Sequence, residues 1–151
     1  MTSPTSFAYD RALLQLGMLL FLIGLLTGFA VPLLAIPRMG LSSHLEGLFN
    51  GILLMVLGLM WGRLALGRAA KAATFAAAIY GAYANWAATL ISAATGAAAM
   101  MPIAGGGRTG STAEEALVGF LLISLSLAMI FVAAMVLWGL RRNMATLPAG
   151  E

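Results

Sequence analysis

This chain of 151 residues has no cysteine, one histidine and very little charge. The missing cysteines exclude disulfides, thiolate metal sites and thiol nucleophiles, and they leave the redox compartment undetermined. With His44 as the only imidazole there is no His-x-x-x-His pair. A catalytic zinc ion usually needs three protein ligands, so zinc hydrolysis has no support. Neither a serine–histidine–acid set nor paired carboxylates inside an apolar run occurs. Charged residues make up 9% of the chain, against roughly 25% in soluble domains. The eight lysines and arginines, with a net charge of +3, are scattered and mostly flank apolar runs. They mark membrane topology and form no stripe for nucleic acid.

What the chain does have is apolar length. Hydrophobic residues make up 62% of it, and its mean hydropathy is +0.99. Four runs each reach the ~20 residues that a spanning helix needs. The expectation is an all-α integral membrane protein: one four-helix transmembrane domain over 1–151, with helices at about 13–36, 43–66, 71–101 and 113–140. The first run exceeds the ~7–15 residues of a signal h-region and reads as a retained helix. Arg63, Arg68 and Lys71 lie in the second connection and Arg141 and Arg142 near the C-terminus. The first and third connections hold only Arg38 and Arg108. By the positive-inside rule, both termini and the second connection are expected in the cytoplasm.

His44 stands where the second run begins, in Ser42-Ser43-His44-Leu45-Glu46-Gly47-Leu48-Phe49-Asn50-Gly51. Ionisable groups at membrane depth are expensive and usually face a protein interior or a cavity. Ser42 or Ser43 is expected to cap the second helix, with Glu46 at capping-box spacing from Ser43. A site role for Glu46 stays equally open. Gly47 and Gly51 form a smooth stripe beside His44, with Asn50 on the other flank, about 120° from His44. A planar group can lie on such a stripe; plain helix packing explains it as well.

The third helix carries Gly81, Asn85, Thr89 and Ser92 on one face, with Tyr80, Tyr83 and Trp86 around them. These residues suggest an aromatic-lined pocket with one amide, since Asn85 in a membrane helix should face a partner. The loop Ala104–Thr112 is glycine-rich but lacks the strand, lysine and spacing of a phosphate loop. Ser111 or Thr112, followed by Glu114 and Glu115, reads as a helix N-cap with acids in the first turn. Ser124 and Ser126 are expected to bond back to their own helix. The ten methionines read as flexible packing.

Pro37–Gly47 with Asn50-Gly51, then Tyr83-Ala84-Asn85-Trp86, then Met101-Pro102-Ile103-Ala104 with its glycine loop resemble the bacterial hydroxylaminobenzene mutases. The resemblance covers most of the chain. Those four-helix membrane proteins are distantly similar to styrene oxide isomerase, sharing His-x5-Asn-Gly (His44, Asn50, Gly51) and an aromatic-Ala-Asn triplet (Tyr83, Ala84, Asn85). The resemblance implies a trimer with haem b between subunits, His44 as axial ligand of a ferric iron, and Asn50 on the substrate side. It also implies a multi-pass location in the bacterial inner membrane. Where the epoxide enzyme carries an important aspartate and tyrosine, Gly81 and Thr89 stand here, which favours the mutase.

The expected activity is therefore isomerisation of an aryl hydroxylamine to an ortho-aminophenol, with iron as Lewis acid. Asn50 and Asn85 are the expected catalytic residues, orienting the substrate or the migrating hydroxyl. Tyr80, Tyr83, Trp86 and Thr89 are expected to line the pocket, and His44, Gly47 and Gly51 to hold the haem. The partners expected are a small aromatic substrate, membrane lipid and further copies of the chain, with no nucleic acid. The second ring nitrogen of His44 needs an acceptor, and Glu46 or a neighbouring carbonyl can serve. Alternatives are an epoxide isomerase on the same scaffold and a haem-binding electron-transfer subunit, although the latter normally needs two strong ligands. A small multidrug transporter usually has a glutamate in its first helix, and none follows Asp10 here.

Overall fold

The computed structural model describes residues 4–144, and among these it is helical with no strand. Helix α1 runs Pro4–Ala30, α2 Pro37–Met60, α3 Arg68–Thr95, the short α4 Pro102–Gly105 and α5 Thr112–Met144. Single 3-10 turns follow α1 (Val31–Leu33) and α2 (Trp61–Arg63).

Proline and glycine set the boundaries, and this moves them from the apolar runs. Pro32 has no N–H and crowds the carbonyl four residues back, so α1 tightens into the 3-10 turn after Ala30. Pro37 then opens α2 behind an extended Ile36 at φ −122°, a position that tolerates its missing donor. The second helix thus begins about one and a half turns before the serines expected to cap it. Ser42 and Ser43 are interior residues: the Ser42 hydroxyl donates to the Arg38 carbonyl at 3.2 Å, and that of Ser43 crosses to the Trp86 carbonyl of α3 at 3.1 Å. The Ser43–Glu46 capping box is therefore absent. At the end of α3, Gly96 takes φ +88°, a left-handed stop that L side chains resist, so α3 ends at Thr95. The cap on α5 forms as expected, with Ser111 N–H donating to Glu114 Oε2 at 2.8 Å and Glu114 N–H to Ser111 Oγ at 3.4 Å.

In space, α1 packs on α2, α2 on α3 and α3 on α5, with a smaller α1–α3 contact. Leu13, Leu20, Leu54, Leu57, Trp61, Ala78, Ala82 and Val132 are buried together, and an aromatic group of Tyr9, Trp61 and Phe75 adjoins them. At the opposite end, the Ile36 N–H donates to the Ala93 carbonyl at 2.9 Å and ties the first connection to α3. Among the described residues, three segments are long and apolar enough to cross a membrane: Ala8–Leu33, Pro37–Arg63 and Thr112–Arg141. On α5, Phe120, Ile123, Leu127 and Ile130 are 57–68% exposed along one face. Water does not favour so large an apolar surface, whereas lipid does. Helix α3 buries small residues instead, among them Ala78, Gly81, Ala82, Ala84 and Ala88.

The α1–α2 contact runs through glycines. A Cβ on Gly47 would lie 2.5 Å from Gly24 Cα, and one on Gly24 would lie 2.8 Å from the Gly47 carbonyl carbon. Both obstacles are backbone, which cannot rotate away. Gly47→Ala should therefore lower unfolding stability in detergent by about 1–3 kcal/mol. Gly62→Ala, at a position with nothing within 4 Å of a new Cβ, should leave the unfolding midpoint unchanged.

Candidate functional site

The glycine contact brings α1 under the His44 ring. A Cβ on Gly28 would lie 2.8 Å from His44 Nδ1 and 3.1 Å from Cε1, so only glycine there leaves room for the imidazole. His44 Nδ1 sits 2.8 Å from the Gly24 carbonyl oxygen. A carbonyl only accepts, so Nδ1 carries the proton and Nε2 keeps its lone pair. Of the two acceptors expected for this ring, the neighbouring carbonyl is the one used.

The opposite flank of α2 carries Glu46 and Asn50 and faces Asn85 of α3. Glu46 Oε2 accepts from Asn50 Nδ2 at 3.0 Å and from Asn85 Nδ2 of α3 at 2.5 Å. Asn50 is buried, and Glu46 and Asn85 are half-buried. At 100° per residue, His44 and Glu46 stand about 160° apart around α2. The fold thus brings Asn50 and Asn85 together but sets His44 against α1, on another side of the same helix.

The remaining expected site residues disperse. Trp86 Nε1 donates across to Thr27 Oγ1 of α1 at 3.1 Å, and the Tyr83 hydroxyl donates to the Leu16 carbonyl at 2.9 Å. Tyr80 turns to α5, where its hydroxyl pairs with Ser124 Oγ at 2.5 Å. Tyr83 and Trp86 are polar ties to α1, whereas Tyr80 ties α3 to α5. Thr89 is buried, and its hydroxyl donates to the Asn85 and Trp86 carbonyls of its own helix at 2.9 and 3.0 Å. The smooth stripe is covered as well: Gly47 meets Gly24, and a Cβ on Gly51 would lie 2.8 Å from the Gly17 carbonyl oxygen. Within one chain, Gly47 and Gly51 face α1.

Glu46 and Thr27 are the residues whose parts the sequence left unassigned. The signal for Glu46 was present, since Glu46 and Asn50 are four apart on one helical face. Thr27 gave none, because its role depends on Trp86, 59 residues away. Among the described residues, no group of three His, Cys, Asp or Glu could hold a bare metal ion. An iron porphyrin needs less from the protein, because the macrocycle fills four positions and one imidazole suffices.

A family model, styrene oxide isomerase, matches residues 9–141. The chain belongs to the styrene oxide isomerase family. Hydroxylaminobenzene mutase HabB of Ectopseudomonas oleovorans is 58% identical over 141 residues, covering 93% of this chain and 86% of that protein. Hydroxylaminobenzene mutase HabA of the same organism is 45% identical over 127 residues, covering 83% of this chain and 94% of that protein. No solved structure matches the chain. Family membership and the apolar helices together make the protein a membrane isomerase.

The cross-helix bonds can be tested singly. Thr27→Val keeps the side-chain shape but removes the acceptor for Trp86 Nε1. Stability should fall by about 1 kcal/mol, read from the unfolding midpoint, with a shift in tryptophan emission.

Proposed function

We propose that the protein is a hydroxylaminobenzene mutase, converting an N-aryl hydroxylamine to the ortho-aminophenol within the bacterial inner membrane. The observation that carries this is the 58% identity to a mutase over 93% of the chain. Two local features support it over epoxide isomerisation. Gly81 packs against Met129 of α5 and, having no side chain, supplies no acid at this position. The Thr89 hydroxyl is engaged with its own helix and offers no phenol.

His44 is the residue that would hold a haem b. Its Nδ1–H is held by a backbone carbonyl, which fixes the ring and directs the Nε2 lone pair to a metal, as in other metal-ligating histidines. A ferric haem held there would supply Lewis-acid chemistry toward the N–O bond. The chain's own residues orient and enclose the aryl hydroxylamine. Asn50 and Asn85 present amides to its heteroatoms, and holding the hydroxyl near the ortho carbon turns its transfer into a positional problem.

Because His44 and the two amides lie on different sides of α2, a group held by His44 meets amides supplied by a second copy. That supports a homo-oligomeric site, with a trimer as the state the family resemblance implies. The apolar faces left open on α5 and α1 suit both subunit contacts and lipid. In this reading α3 is the fourth span. Its 28 residues reach about 42 Å, and Tyr80, Tyr83, Asn85 and Trp86 tie it to α1, α2 and α5. Both termini and the Arg63–Lys71 connection then face the cytoplasm.

Membranes containing the protein should convert phenylhydroxylamine to 2-aminophenol and leave styrene oxide largely unreacted, as read by chromatography. The reverse preference would reassign the protein to epoxide isomerisation. The purified protein should show a Soret band, and His44→Ala should lose both band and turnover; an unchanged band would remove His44 as the ligand.

A further inference from the structure

We propose that Glu46 is the positioning residue that sets both substrate-facing amides, and so decides that the hydroxyl stays with the substrate as it moves. This rests on the mutase reading. The chain has five acidic residues, and Glu46 is the only one between Asp10 and Glu114. It lies deep within an apolar segment, Pro37–Arg63, where such a group is costly and usually functional. Its acceptor Oε2 is engaged by amides alone, one from its own helix and one from α3, at 3.0 and 2.5 Å. Helix α2 has no lysine or arginine after Arg38, and α3 has none after Lys71, so no basic side chain of either helix stands beside it.

The chemistry of a carboxamide makes this arrangement directive. An amide can turn over by 180°, exchanging its oxygen and nitrogen. A carboxylate accepts hydrogen bonds and repels another oxygen, so each amide must present Nδ2 to Glu46. That choice places Oδ1 of Asn50 and of Asn85 on the far edge of each group and leaves each Nδ2 one further hydrogen. Glu46 thereby gives two side chains from different helices a common orientation. Asn50 and Asn85 touch the substrate, and Glu46 acts through them.

In the transfer, the N–O bond breaks and a C–O bond forms at the adjacent ring carbon. The hydrogen displaced from that carbon is lost as a proton, and the nitrogen gains one. A hydroxyl that is not held as N–O breaks escapes, and water then adds to the ring, favouring the open para position. Solvent oxygen in the product and a para-aminophenol fraction are thus signatures of lost positioning, which simple loss of stability does not produce.

The test uses the full chain in detergent or nanodiscs, with phenylhydroxylamine in 18O-water. Glu46→Leu should lower kcat by about 100-fold, the scale of a 1 Å misplacement, with a smaller change in KM. It should also give para product carrying solvent oxygen while retaining the Soret band. Glu46→Gln keeps an accepting oxygen and should restore the ortho product without solvent label. In 15N-asparagine-labelled protein, which has only Asn50, Asn85 and Asn143, Glu46→Leu should move two side-chain amide signals. Unmoved amide signals, or a Glu46→Leu product that is still ortho, unlabelled and formed at the wild-type rate, would overturn the proposal. A wild type that makes no 2-aminophenol defeats the mutase reading itself, before any variant is compared.

Discussion

The contact between Gly24 and Gly47 is the constraint on which the rest of this structure depends. In lipid no hydrophobic force drives one apolar helix onto another, so shape and hydrogen bonds must do so. Hydrogen atoms in place of side chains at Gly17, Gly24, Gly47 and Gly51 let α1 and α2 meet backbone to backbone. The same approach places Gly28 beneath the His44 ring and the Gly24 carbonyl 2.8 Å from Nδ1. Wider separation of the two helices would leave that imidazole without its acceptor, and both tautomers would become available. The tautomer that frees Nε2 is therefore a consequence of helix packing.

Helix α2 then serves two neighbours with different chemistry. Its side toward α1 is smooth and carries the imidazole. Its side toward α3 carries Ser43, Glu46 and Asn50, each with a partner. Helix α3 can be the least apolar of the long helices because its polar groups find partners on α1, α2 and α5 through Tyr83, Trp86, Asn85 and Tyr80. Helix α5 has the opposite character, with a long apolar surface and serines bonded back to their own carbonyls, Ser124 to Phe120 and Ser126 to Leu122.

Several parts of this were legible beforehand because their causes are local. The Ser111–Glu114 cap depends on residues three apart, and the back-bonding of Ser124 and Ser126 on residues four apart. The capping assigned to Ser43 and Glu46 failed because a second helix start, Pro37, lay upstream and outranked it. The three rings expected around a pocket on α3 each carry a hydrogen bond to a neighbouring helix. Tyr83 and Trp86 both reach α1, whereas Tyr80, a further 60° around the helix from Tyr83, reaches α5. The smooth Gly47/Gly51 stripe was expected beside His44 as a surface to hold the haem, with helix packing as the alternative. Its occupant in the chain is the backbone of α1.

Sequence alone determined the class of molecule and its chemical vocabulary. Apolar length specified helices in a membrane, and the lack of cysteine and of a second histidine restricted any metal chemistry to a single imidazole. Spaced motifs also led to the isomerase family, to which the chain belongs. Tertiary structure alone decided which atoms speak to which: Nδ1 of His44 to Gly24, and the two amides to one oxygen of Glu46. The reason is physical. A helix's periodicity fixes only the angle at which each side chain leaves it. The neighbour waiting at that angle is set by backbone approach between segments far apart in sequence, here at two glycines in contact.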